Sequence, residues 1–245
     1  VKLSAPIYVL KSQAKELKRT KQITMIEALN QIAQREGYSS WSLLQSKAKD
    51  LYPKKREDIL GYLNPGDLFL LASRPGLGKT TFALQILIQA FHENKTCCFF
   101  SLEYSKREVA ARMAELDENI GEMDSKFRFD FSDEISAPYI IGKLKDTALE
   151  DTVIVVDYLQ LLDQQRSKPP LQKQIEDLKK FAKEKKCIFI FTSQVDRSFE
   201  GKQGFRPKLE DIRLPNPLDL KLFNKSMFLH DGKLIFTTPD DFELD

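Results

Sequence analysis

The chain has 245 residues, 42% of them hydrophobic and 30% charged, with a formal net charge of +2. That is enough for one α/β domain with a full core and roughly 50 residues of appendage, and too little for a second enzyme domain of ordinary size. No apolar run approaches the ~20 residues that cross a bilayer, and residues 1–6 lack the apolar core of a signal peptide, so the sequence predicts a soluble, cytoplasmic protein.

Charge is unevenly spread: residues 1–60 hold 12 Lys/Arg against 6 Asp/Glu, and the remainder 26 against 30. Affinity for nucleic acid would have to come from the basic amino-terminal part, from local loops, or from several subunits together. Cys97 and Cys98 lie in one strand-like run and Cys187 opens another, which suits small buried hydrophobes in a reducing compartment rather than disulfides or metal ligands.

In chain order, Ala14, Leu17, Ile23, Ile26, Leu29, Ile32, Ala33, Trp41, Leu43 and Leu44 predict two or three short helices broken at Gly37. These make residues 1–55 a small basic helical segment ending in the linker 52–56, and residues 56–245 the main domain. Asn64–Asp67 reads as a turn launching a buried strand over 68–72. Beyond it the pattern predicts a helix over 79–92, a strand over 97–102 and a helix over 105–116. An irregular acidic stretch runs to about 135, followed by a helix over 137–148 and a strand over 153–157. A helix over 171–185 and a strand over 187–193 complete the alternation, which implies a mostly parallel sheet flanked by helices. Ser226–Leu229 and 233–236 flank His230-Asp231-Gly232 as a closing hairpin. Residues 239–245 read as an acidic, loosely attached tail.

The most specific signal is Arg74-Pro75-Gly76-Leu77-Gly78-Lys79-Thr80-Thr81 between the first strand and its helix. Glycines let backbone N–H groups curl around phosphate oxygens, Lys79 can reach the β- and γ-phosphates, and the Thr80 hydroxyl can ligate Mg²⁺. Ser73 stands where the strict phosphate-loop pattern has its first glycine. Asp157 ends the 153–157 strand, where a carboxylate holds Mg²⁺ through its water shell. Glu103 ends another strand and is the candidate base that orients water against the γ-phosphate; its competing role is a cap for the next helix, which Ser105 already supplies. Gln194 follows a third strand and could sense the γ-phosphate.

These segments, with 156–161, 178–184, 193–197 and 206–213, resemble in order the successive motifs of the DnaB-type replicative helicase carboxy-terminal domain. The resemblance covers roughly residues 60–230. It implies a RecA-like P-loop fold, ATP hydrolysis with Mg²⁺, a hexameric ring and action on single-stranded DNA. It implies phosphate binding by Lys79 and Thr80, a catalytic base at Glu103, magnesium coordination through Asp157 and γ-phosphate sensing by Gln194. Small residues occur at the Ser73 position in that family. Candidate DNA contacts are Arg166 and Lys168 in one loop, and Lys202, Arg206 and Lys208 in and beside another, with Phe199 and Phe205 for stacking. Two departures stand out. The basic helical segment takes the place of the family's primase-interacting domain, and the Lys-Gln-Arg-Asn-Gly motif with its arginine finger is missing, leaving Lys233 as the cation of the hairpin. An arginine finger is worth on the order of 10³ or more in phosphoryl transfer, so a regulator or loader that binds ATP with little turnover is the alternative; a small-molecule kinase lacks a visible acceptor site.

Overall fold

The computed structural model describes residues 3–5, 7–50, 53, 55–118, 120, 126–147, 149–163, 168–196, 207–214 and 216–237. The chain divides into two compact units, at residues 53 and 54. The first holds α1 (Ile7–Lys21), α2 (Met25–Arg35) and α3 (Trp41–Asp50). Thr24 starts α2 with a capping box, its hydroxyl accepting from the Glu27 amide while the Glu27 carboxylate accepts from the Thr24 amide. Gly37, at φ +84°, makes the break after α2 that the sequence places there. Leu10, Ala14, Ala28, Ile32, Ala33, Trp41 and Leu44 form the core of this unit. Two residues of the predicted apolar pattern face solvent instead: Ile26 is 72% and Leu43 41% exposed. Each stands next to the buried stripe rather than on it, because the stripe of a short helix is only one side wide.

The second unit is built on a seven-stranded sheet in the order β3-β2-β4-β5-β1-β6-β7. Its strands are β1 (Leu68–Ser73), β2 (Cys97–Ser101), β3 (Phe127–Asp130), β4 (Val153–Asp157), β5 (Ile188–Gln194), β6 (Lys225–His230) and β7 (Lys233–Thr237). All neighbours pair parallel except the β6–β7 hairpin. The runs Leu-Phe-Leu-Leu-Ala and Val-Ile-Val-Val are apolar on both faces because helices cover both. Phe69, Leu71, Phe99, Val153, Val155 and Ile190 pack under α4 (Ile59–Tyr62), α5 (Lys79–His92) and α6 (Lys106–Leu116). Alternate residues point the other way, where the Phe181 ring of α8 (Leu171–Lys185) meets Phe189 edge-on at 6.5 Å. α7 (Ala137–Leu144) packs beside α8.

β3 lies inside the stretch that the sequence reads as irregular. Its signal is the alternation Phe127, Phe129, Phe131, whose rings stack at 5.2 and 6.2 Å along the sheet edge. α7 ends at Leu144 rather than 148, and α4 with the 3-10 turn Arg56–Asp58 lies between the stretches read as linker and turn. At the end of the sheet away from the strand carboxyl termini, Lys225 and Asp67 form an ion pair of 2.6 Å with both side chains 4% exposed. Lys225 also donates to the Tyr62 carbonyl at 2.5 Å. Burial lowers the Lys225 pKa while Asp67 pulls it back up. Residues 239–245 lie outside the described residues.

Candidate nucleotide-binding site

Parallel strands bring their carboxyl ends to one edge, and the strand order sets which ends are neighbours. Ser101 pairs beside Asp157, and Ser73 beside Gln194, with β4 and β5 adjacent between them. Four polar features therefore converge: Glu103 two residues past β2, Asp157 ending β4, Gln194 ending β5, and the 74–78 loop following β1.

The loop needs glycine at two positions. Gly76 has φ +79° and Gly78, the N-cap of α5, φ +82°, both in the left-handed region that a side chain disfavours. Ser73 has no such requirement; it ends the strand, and its hydroxyl donates to the Arg74 carbonyl at 2.9 Å. That accounts for a serine at the first glycine position of the strict pattern. The first-turn amides of α5 have no acceptor within the helix, and the helix dipole favours an anion there. Lys79 and Thr80, in this turn, are 7% and 5% exposed. Pro75 and Leu77 stand exposed on the loop and Thr81 is half-buried. Arg74 reaches Asp231 of the β6–β7 turn at 3.9 Å.

Asp157 is fully buried. One carboxylate oxygen accepts from the Thr80 hydroxyl at 3.3 Å and from the Thr192 hydroxyl; the other has no hydrogen-bond partner among the described residues. Burial pushes its pKa up to about 6, opposed by the Thr192 bond, Lys79 and the Thr80 bond, and reinforced by the negative charge of Glu103. An orphaned buried carboxylate oxygen beside a threonine hydroxyl is the donor set that a phosphate-bound Mg²⁺ uses, since this ion takes one or two protein ligands and completes its shell with phosphate and water. Among the described residues no cluster of three or more His, Cys, Asp or Glu could hold a metal unaided. Cys97, Cys98 and Cys187 are buried free thiols, and desolvation raises each to about 12.

Glu103 is exposed and follows a turn in which its amide donates to Ser101 Oγ at 3.1 Å. The competing role as a helix cap is taken: Ser105 caps α6 in a capping box with Glu108. Gln194, with Pro75, Val195, Asp196 and Arg213, lines a cavity of about 140 Å³ beside the loop. Thr192 escapes sequence reading, although a hydroxyl inside an otherwise apolar strand is the signal that would have found it.

Of the candidate DNA contacts, Lys168 and Lys208 fall among the described residues. Arg166, Lys202 and Arg206 lie outside the described residues, as do Phe199 and Phe205. Lys168 donates to the Asp133 and Ile135 carbonyls at 3.1 and 2.9 Å, pinning two loops together. Lys208 is exposed and faces Glu210 at 4.0 Å.

Residues 54–134 and 123–215 match the family model of the DnaB-like helicase C terminal domain. The chain belongs to that family. It is 27% identical over 252 residues to a probable replicative DNA helicase of Trieres chinensis, covering 84% of this chain and 55% of the relative. It is 31% identical over 178 residues to the replicative DNA helicase DnaB of Geobacillus stearothermophilus, covering 60% and 39%. The chain thus spans about half the length, or less, of these relatives. Two solved structures share the DnaB-like fold. A DnaB-like replicative helicase described with its primase interactions superposes with a TM-score of 0.57 at 20% identity, over 91% of this chain and 65% of that one. The second, described as an ATPase domain, gives 0.55 at 22% identity, over 77% and 81%. In this DnaB-like domain no described helix is long and apolar enough to cross a membrane.

Proposed function

We propose that the chain is the motor domain of a DnaB-type replicative helicase, binding and hydrolysing ATP with Mg²⁺ and acting on single-stranded DNA in the cytoplasm. The observation that carries this reading is Asp157: a fully buried carboxylate, held by Thr80 and Thr192 on one oxygen and unmet on the other, beside Lys79 at the start of α5. Such a group is costly unless a cation completes it.

In this reading the loop 74–78 and the first-turn amides of α5 cradle the phosphates, with Arg74, Pro75, Gly76, Leu77, Gly78 and Thr81 shaping the loop. Lys79 carries the β- and γ-phosphate charge. Thr80 and Asp157 are the residues that would hold Mg²⁺, which supplies neutralisation of charge on the transferred phosphoryl group. Glu103, exposed and unencumbered by capping, takes the proton of the attacking water. Gln194 hydrogen-bonds the γ-phosphate and registers its loss. Arg166, Lys168, Lys202, Arg206 and Lys208 are the proposed DNA contacts, and a hexameric ring is the proposed assembly.

The alternative, a nucleotide-bound regulator or loader, rests on one observation: the hairpin turn reads His230-Asp231-Gly232-Lys233, with a lysine and no arginine. Lys233 begins β7 exposed, and is the cation available to serve a neighbouring site. Steady-state ATP turnover with and without single-stranded DNA, at low and moderate salt, separates the two. DNA-stimulated turnover is expected of the motor; tight ATP binding with negligible turnover under both conditions would overturn it in favour of the regulator.

A further inference from the structure

Gln160 lies three residues past Asp157 in the 3-10 turn Leu159–Asp163. Its side-chain amide donates twice, to Ser193 Oγ at 3.1 Å and to the Arg213 carbonyl at 2.6 Å. Ser193 is fully buried and immediately precedes Gln194. Arg213 in turn donates its backbone N–H to the Gln194 carbonyl at 2.8 Å. Around these bonds the chain leaving β5 and the chain returning after residue 207 run antiparallel. Val195 bridges Ile212, and the Asp196 amide donates to the Asp211 carbonyl at 2.8 Å. One side chain on the β4 side therefore ties down both legs of the excursion that begins at Gln194.

From this geometry we propose that Gln160 is a positioning residue for Gln194, an inference that rests on the nucleotide-hydrolysing reading above. Two protons on one planar nitrogen are needed to reach both legs; a leucine of similar size has none, and a carboxylate would face the Arg213 carbonyl with an acceptor. The other amide atom, Gln160 Oε1, is buried without a hydrogen-bond partner among the described residues. Gln160 thereby sets the distance of the Gln194 amide from the γ-phosphate through Ser193 and Arg213, and a displacement of ~1 Å at such a group costs up to about 10²-fold in rate.

The test is a double-mutant cycle on ATP turnover by the full chain with single-stranded DNA. Gln160→Leu is expected to lower kcat about tenfold while leaving KM for ATP within about twofold. In a Gln194→Ala background the same substitution should cost less than about twofold, because the group it positions is gone. Ser193→Ala, which removes one of the two acceptors, stands in for Gln160→Leu should that variant fail to fold, with a loss of about threefold that also vanishes in the Gln194→Ala background. Equal losses in both backgrounds, or a raised KM with kcat unchanged, would overturn the assignment of Gln160 alone. A wild-type chain that binds ATP without turning it over would overturn the functional reading and this proposal with it.

Discussion

Asp157→Asn should make the nucleotide-free protein more stable while abolishing its activity. The carboxyl has a folded pKa of about 6, against an ordinary value near 3.8, because burial disfavours its charged form more than Thr192, Lys79 and Thr80 favour it. A folded pKa above the unfolded one means that the native state binds more protons between about pH 4 and pH 6. Stability is therefore full below about 4 and falls as pH rises through 6. About two pH units at ~1.4 kcal/mol each give a penalty of about 3 kcal/mol at pH 7.5, equivalent to roughly 6–12 °C in Tm for a unit of this size. Asparagine keeps an acceptor for Thr80 and Thr192, fills the same volume and carries no charge to desolvate. Urea denaturation of wild type and variant without nucleotide, from pH 4 to pH 8, should show the variant more stable at pH 7.5 by about 2–3 kcal/mol, the gap closing towards pH 4. A variant less stable than wild type at pH 7.5, or a gap independent of pH, would refute the reasoning that the site stores an uncompensated buried charge.

Glu103→Gln should retain ATP binding, since Glu103 is not used to cap α6, and lose turnover by about 10²-fold or more; surviving hydrolysis in a steady-state assay would send the search to another base. Lys225→Met breaks the buried pair with Asp67 and should cost about 3–5 kcal/mol in chemical denaturation, with much of it recovered in Lys225→Met/Asp67→Asn, because the damage is the charge left behind.

How much of this was legible in the sequence depended on whether the signal was local. The 74–78 loop, Asp157, Glu103 and Gln194 all stand at or just past the ends of strongly apolar runs, and parallel strands must bring such ends to one edge. Strand-to-strand alternation therefore carried the site as well as the sheet. The edge strand β3 was lost because four residues next to an acidic loop are too few for composition to mark, although its alternating phenylalanines carry the period. The apolar pattern that predicts the short amino-terminal helices includes Ile26 and Leu43, which face solvent, because hydrophobicity alone does not say on which side of a short helix a residue falls. Thr192 carries a local signal, a hydroxyl in an apolar strand, but its partner Asp157 is 35 positions away, and Gln160 bonds to Ser193 and Arg213, 33 and 53 positions away. Such pairings exist only once β4 and β5 lie side by side.

The central claim is that the pocket at the carboxyl edge of the sheet is where this DnaB-like chain turns over ATP. Mg²⁺-dependent ATP hydrolysis by the wild-type chain, measured beside Lys79→Ala with single-stranded DNA present, tests it most directly. Turnover by the wild type that falls to background in Lys79→Ala is the predicted result; equal turnover by both proteins would contradict it and move the active site elsewhere.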